Sequence, residues 1–224
     1  MKELEEKLGY SFKNTELVQT ALTHSSYANE NRDSGCRHYE RLEFLGDSIL
    51  GFITAKHLYG MEKELPEGRM TRLRADLVCE QSLYSVAVQL KLGGYMRMGH
   101  GEEKNGGRQR VSILADAVEA LIAAMYLDGG MEPAERFVKK MILSPESIAS
   151  KRASDNKSEL QEFIQQKSGQ TLEYVQAGEY GPDHDKVFIV EARLNGKPVG
   201  RGKGRTKKEA EQAAACEALK KLRK

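Results

Sequence analysis

The 224 residues carry 39% hydrophobic and 30% charged side chains at a net charge of +2, proportions of one or two globular domains that exclude a disordered or fibrous chain. No apolar run approaches the ~18 residues of a membrane span, and the amino end MKELEEKL is acidic where an export leader is basic, so a cytoplasmic protein with no membrane partner is expected. Cys36, Cys79 and Cys216 lie far apart with no His or Cys at ligand spacing, which speaks against a disulfide framework or a zinc site.

From Thr15 to Tyr126 apolar residues recur at three- and four-residue spacing: Leu17, Val18, Ala21, Leu22; then Leu42, Leu45, Ile49, Ile53; then Leu83, Val86, Ala87, Leu90. That periodicity predicts an all-α domain over residues 1–146. Gly93-Gly94 and Gly106-Gly107 mark breaks, and the charged stretch from Gly99 to Arg110 reads as an exposed loop.

Within HYERLEFLGDSILGFI, a helical wheel with Glu43 at zero puts Asp47 near 40° and Glu40 near 60°, while Leu42, Leu45, Ile49 and Ile53 gather at about 200° to 280°. Three carboxylates therefore share the face opposite the core stripe. Phe44, at about 100°, sits beside them, and a large aromatic on a solvent face wants a partner. Burying it against a second copy predicts a symmetric homodimer through Phe44.

A second acidic pair, Asp116 and Glu119, lies at i, i+3 on the edge of the apolar helix SILADAVEALIAAMYLD, with the small residues Ala120 and Ala123 beside it. Two readings stay open from spacing alone: a metal ion, or salt bridges from Arg41, Arg72 or Arg74. If the two helices pack with these faces together, Glu43, Asp47, Asp116 and Glu119 form an all-oxygen cluster that repels itself without a divalent cation. Mg²⁺ matches such ligands, with Mn²⁺ able to take its place, and no small-molecule cofactor is called for. A water on the ion, its pKa lowered, would hydrolyse a phosphodiester. His24, His38, His57 and His100 read as scattered surface or core histidines.

At this point ERLEFLGDS, residues 40–48, resembles the signature motif of the ribonuclease III family, and LADAVEAL, residues 114–121, its second acidic motif. ALTHSSY, residues 21–27, and LPEGRMTRLRADLV, residues 65–78, extend the match. The resemblance implies that Glu43, Asp47, Asp116 and Glu119 ligate Mg²⁺, with Asp47 and Glu119 closest to catalysis and Glu40 and Glu67 in support. A cap or a surface ion pair remains open for Glu67, which follows Pro66 at a helix start.

The stretch SPESIASKRASDNKSE interrupts the apolar periodicity and reads as a linker, residues 147–154. Residues 151–224 hold 16 Lys and Arg against 11 Asp and Glu, net +5, whereas the first 150 are net −3. A basic second domain, residues 155–224, is expected. Asn156 with Glu159 suggests a capped helix through Lys167; LEYVQAGEY alternates as a strand; Phe188 to Leu194 alternates again; Asn195-Gly196 signals a hairpin before a strand near Val199. Thr206 with Glu209 forms a capping box, and Ala215, Leu219 and Leu222 give the last helix its core face. The order is αβββα.

Lys207 and Lys208 then fall in a first helical turn, where the macrodipole disfavours positive charge. With Lys203, Arg205 and the free N–H groups of that turn they suit phosphates, and the glycines of GRGKG read as clearing backbone for nucleic acid. This part is similar to the double-stranded RNA-binding domain, strongest at GKGRTKKEAEQAAA. The likeness implies that Ser158, Gln161, Glu162 and His184 enter successive minor grooves while Lys207 and Lys208 hold the phosphates between them. Together the two resemblances imply an endonuclease of double-stranded RNA that leaves 5′-phosphate and 3′-hydroxyl ends with short 3′ overhangs and serves rRNA and mRNA processing and decay. Two rivals are a non-catalytic RNA-binding protein that keeps the fold and a metal-dependent hydrolase of small phosphoesters.

Overall fold

The computed structural model describes all residues except 33–34, 62–64, 154–155, 166–168, 183–184 and 224. It divides into two compact units, Met1–Ile148 and Ala149–Lys224. The first unit is helical throughout. In chain order its helices are α1 (Lys2–Leu8), α2 (Thr15–Ala21), α3 (Ser25–Glu30), α4 (Glu40–Tyr59), α5 (Glu67–Val78), α6 (Glu80–Leu90), α7 (His100–Lys104), α8 (Val111–Gly129) and α9 (Met131–Met141).

The buried apolar residues of the segment Ile113 to Met125, interrupted only by Asp116 and Glu119, make α8 the centre of this unit, packed by α2, α4, α6 and α9. A helix apolar on nearly every face belongs in a core. Its far end organises the amino terminus: the Asp128 carboxylate accepts the Tyr10 hydroxyl at 2.7 Å and the backbone N–H groups of Lys13 and Asn14 at 2.8 Å each. Asn14 in turn caps α2 by accepting from the Glu16 N–H at 3.0 Å.

Residues 99–110, expected as an exposed loop, are instead folded. They hold α7 and a short 3-10 turn over Gly107–Gln109, with Gly107 buried. The reason lies in charges the sequence shows but does not pair. The Arg108 guanidinium donates to the Gly93 and Met96 carbonyls at 2.8 Å each, and Arg110 reaches Glu102 at 2.7 Å.

Of the stretch expected as a linker, residues 147–153 are helical, as part of α10 (Pro145–Ala153), and residue 154 lies outside the described residues. Ser144 starts it by accepting the Ser147 N–H at 3.2 Å, Pro145 needs no partner for its missing N–H, and Ile148 is buried.

The second unit contains α11 (Asn156–Gln165), strands β1 (Leu172–Tyr180), β2 (Val187–Leu194) and β3 (Lys197–Gly204), and α12 (Lys207–Leu222). The sheet is antiparallel in the order β1-β2-β3. Asn195 and Gly196 both take positive φ, 49° and 77°, the turn a two-residue hairpin between Leu194 and Lys197 requires. Both helices pack on one face of the sheet over a small core of Leu160, Ile164, Val190, Ala192, Ala210, Ala214, Ala218 and Leu219, with Leu222 only partly buried at its margin. Asn156 lies inside α11 rather than capping it; the start of that helix is held from α12, where the Gln212 side chain accepts the Lys157 N–H at 3.0 Å.

The glycines of GRGKG have a different task from the expected one. A Cβ at Gly200, Gly202 or Gly204 would run into the backbone of α12 at Ala214 and Ala218, at Ala210 and Ala214, and at Ala210 respectively. Their period of two turns one bare edge of β3 toward the helix, so the clearance serves α12 and not nucleic acid.

Candidate metal centre and nucleic-acid interface

The acidic site begins with a glycine. Gly46 lies where α4 meets α8, and a Cβ there would overlap the Glu119 carbonyl. The missing side chain lets the backbones approach, and the carboxylates on either side of the contact converge. Glu43, Asp116 and Glu119 each offer an oxygen within 4.8 Å of the others, all three half-buried. Asp47 is exposed and stands outside that group, yet its charge acts on both Glu43 and Glu119.

Burial, then the charges of Asp47, Asp116 and Glu43, pushes the Glu119 carboxyl up to about 8. Burial likewise raises Glu43, with Asp116, Glu40 and Asp47 adding to it. At Asp116 burial again raises the pKa, opposed by a hydrogen bond from Tyr39. Among the described residues no Lys or Arg pairs with Glu43, Asp47, Asp116 or Glu119, so the salt-bridge reading with Arg41, Arg72 or Arg74 does not hold here. Hard oxygen donors, close together, half-buried and uncompensated, fit a divalent cation of the Mg²⁺ type.

Two neighbours of the cluster were not foreseen. The buried Tyr39 hydroxyl donates to Asp116 Oδ2 at 3.4 Å. The His24 ring lies 5.8 Å from the Tyr39 ring and acts on Asp116 electrostatically. Tyr39 directly precedes ERLEFLGDS and His24 lies inside ALTHSSY, so adjacency to the motifs was the available signal.

Glu40 is exposed, 3.7 Å from His38 Nδ1. Glu67 is in the first turn of α5, accepting the Thr71 hydroxyl at 2.7 Å, and lines a groove of about 400 Å³ with Phe52, Tyr59 and Met70; it lies outside the 4.8 Å group. Phe44 is 80% exposed on α4, and Phe52 and Tyr59 are exposed farther along the same helix.

In the second unit, Ser158 and Glu162 fall on the face of α11 turned away from buried Leu160 and Ile164, both half-buried, while Gln161 is exposed on the flank of that buried stripe. His184 lies outside the described residues. Thr206 caps α12 by accepting the Glu209 N–H at 3.1 Å, and the Glu209 carboxylate reaches back to the Arg205 N–H at 2.8 Å, one residue before the cap. This turn leaves Lys207 and Lys208 exposed. Lys203 Nζ lies 5.7 Å from the Tyr180 ring centre, Lys207 Nζ 5.8 Å from that of Phe188, and Arg205 reaches Asp185 at 3.8 Å. These cations therefore gather where β1 ends and α12 begins.

A "Ribonuclease-III-like" family model matches residues 14–146, and a "Double-stranded RNA binding motif" model matches residues 156–222. Proteins named Ribonuclease 3 are 48% identical in Desulforamulus reducens, over 98% of this chain and 90% of theirs, and 48% identical in Oceanobacillus iheyensis, over 96% and 95%. The nuclease domain of ribonuclease III from Campylobacter jejuni, solved in work on flexibility in its dimer-forming region, superposes with a TM-score of 0.58 and 38% identity over 64% of this chain and 99% of that one. With a helical first unit, an αβββα second unit and relatives matched over nearly their full length, the chain belongs to the ribonuclease III family of endoribonucleases.

Proposed function

We propose that this protein cleaves double-stranded RNA in a divalent-metal-dependent reaction in the cytoplasm, with Mg²⁺ the working ion and Mn²⁺ a substitute. It leaves 5′-phosphate and 3′-hydroxyl ends with short 3′ overhangs and acts on rRNA and mRNA precursors. The observation that carries this reading is a cluster of half-buried carboxylates with which, among the described residues, no Lys or Arg pairs, in a chain that also holds a double-stranded RNA binding motif. Glu43, Asp47, Asp116 and Glu119 would hold the ion, with Glu40 and Glu67 supporting. Bound there, the ion supplies a water acidified enough to attack phosphorus near neutral pH. Glu119 would release its proton as the site fills, and the packing of α4 against α8 keeps Glu43, Asp116 and Glu119 half-buried, whereas Asp47 approaches from the solvent side.

Ser158, Gln161, Glu162 and His184 would reach the minor grooves, while Lys203, Arg205, Lys207 and Lys208 hold phosphates, a mode that reads A-form shape over sequence. A basic second unit has no task in hydrolysing a small phosphoester, which favours duplex RNA over that rival. The test is cleavage of long duplex RNA with Mg²⁺, with EDTA, and with single-stranded RNA and a nucleotide phosphoester as separate substrates. Cleavage confined to duplex and lost with EDTA is expected; equal hydrolysis of the nucleotide, or cleavage in EDTA, would overturn the proposal.

Three phosphate contacts contribute about 2 to 3 to the slope of log affinity against log salt. Lys203→Ala/Lys207→Ala/Lys208→Ala should therefore flatten that slope by this amount and weaken duplex binding about uniformly across sequences. An unchanged slope in a filter-binding salt series would remove these lysines from the phosphate track.

The partner that covers Phe44 is, on the same reading, a second copy, each Phe44 entering the other subunit about a two-fold axis. Burying a Phe contributes roughly 1.5 to 3 kcal/mol and counts twice, so Phe44→Asp should shift the protein to monomer and depress cleavage. Sedimentation velocity at micromolar concentration decides it: a wild-type monomer, or a dimeric and active Phe44→Asp, rejects this interface.

A further inference from the structure

Among the described residues Asp116 receives one side-chain hydrogen bond, from Tyr39, whereas Glu43 and Glu119 receive none. Tyr39 is 3% exposed and fixed at both ends, its N–H donating to the Thr23 carbonyl at 3.0 Å and its ring resting beside His24. His24 is braced in turn. The Gly99 N–H donates to Ser26 Oγ at 2.9 Å, Ser26 Oγ is 2.7 Å from His24 Nδ1, and the Ser26 N–H donates to the same Nδ1 at 3.2 Å. Since Nδ1 is the acceptor, a neutral ring carries its proton on Nε2, across the ring from Ser26. A continuous set of contacts thus runs from the 99 segment through Ser26 and His24 to the phenol, and from the phenol to one carboxylate of the cluster.

We propose that Tyr39 is a positioning residue of the metal centre, its hydroxyl holding Asp116 by Oδ2 so that this carboxylate would be ordered before an ion arrives. The inference rests on the metal-centre reading above. A carboxylate free to rotate must be ordered when the ion arrives; one already hydrogen-bonded and braced from behind is ordered in advance. Tyr39 therefore acts through Asp116 on how tightly the ion is held, and touches neither substrate nor scissile bond.

The experiment uses the full chain and two phenol deletions of the same chemistry. Tyr39→Phe removes the hydroxyl on Asp116; Tyr10→Phe removes a 2.7 Å hydroxyl bond to Asp128, which lies at the far end of α8 from the cluster. Mn²⁺ binding is titrated by electron paramagnetic resonance without RNA, alongside the Mg²⁺ dependence of duplex cleavage. Tyr39→Phe should raise both metal midpoints about tenfold or more, the scale of losing a partner to a metal ligand. Its rate at saturating Mg²⁺ should stay within about twofold of wild type. Tyr10→Phe should lower the melting temperature and leave both midpoints in place. Unmoved midpoints in Tyr39→Phe, or equal shifts in the two variants, would overturn the Tyr39 role while leaving the metal centre standing. A wild type whose Mn²⁺ binding is absent or indifferent to Glu119→Gln would instead overturn the metal centre, and the Tyr39 role with it.

Discussion

Glu119→Gln should abolish cleavage of duplex RNA and leave duplex binding nearly intact. The amide keeps the shape of the side chain but loses one of the carboxylates proposed to hold the ion, and several kcal/mol of transition-state stabilisation correspond to a loss of about a thousandfold or more. On the proposed reading binding survives because the cations assigned to phosphates, Lys203, Arg205, Lys207 and Lys208, belong to the second unit. The same substitution should stabilise the metal-free protein. A carboxyl held at about 8 in the fold, against 4.5 in the open chain, binds more protons folded than unfolded throughout that interval. Stability from this group is therefore intact below pH 4.5 and drains away as pH rises toward 8, a cost of up to about 5 kcal/mol before the solvent screening that reduces it for a half-buried side chain. Thermal melts of the metal-free wild type should fall across that window, those of Glu119→Gln should stay flatter, and Mg²⁺ should restore the wild type alone. Parallel melting curves, or a Glu119→Gln protein that still cuts, would remove Glu119 from the site.

Gly46→Val should damage fold and chemistry together. Its first added carbon meets the Glu119 carbonyl, which is backbone and cannot rotate aside, so α4 and α8 must part. Forcing such a contact costs on the order of 3 kcal/mol, which for a unit of this size lowers the melting temperature by roughly 6 to 12 °C. Displacing one acidic helix by about 1 Å is enough to cost a hundredfold in rate. Gly51, five residues along α4, has nothing within 4 Å of where a Cβ would stand. Gly51→Ala should be neutral or stabilise by up to about 1 kcal/mol through helix propensity. Calorimetry and single-turnover cleavage of the two variants separate a close-contact glycine from an incidental one; equal effects would discard the account.

The wheel of HYERLEFLGDSILGFI shows its acidic face because angular position follows from spacing alone, and the core stripe at Leu42, Ile49 and Ile53 is buried as that pattern requires. What spacing cannot carry is the depth of approach between two helices. Ala120 and Ala123 drew attention as the small neighbours, whereas the contact that sets the site is at Gly46, a residue whose role shows only once its partner on α8 is known. Asp47 illustrates the same limit: it shares the wheel sector of Glu43, yet it projects to solvent where Glu43 turns inward. The hairpin at Asn195-Gly196 was legible because two positive φ values are a local demand. The folding of residues 99–110 was not, since it depends on Arg108 finding carbonyls 12 and 15 residues earlier.

Where β3 meets α12, Gly200, Gly202 and Gly204 face Ala210, Ala214 and Ala218, residues with no side-chain rotamers to freeze. Ordering this seam carries almost no side-chain entropy, so it can be rigid in the free protein at little thermodynamic expense. Lys203 and Arg205 alternate with those glycines on one side of the contact, and Lys207 and Lys208 begin the helix on the other. Four cations are thereby mounted on a single stiff frame, at separations set by backbone against backbone. On the proposed reading an RNA duplex would meet them as a ruler already cut to length: cations on such a frame could be exchanged for one another with gradual effect, while a methyl added at Gly202 would meet the backbone of α12 and change every spacing at once.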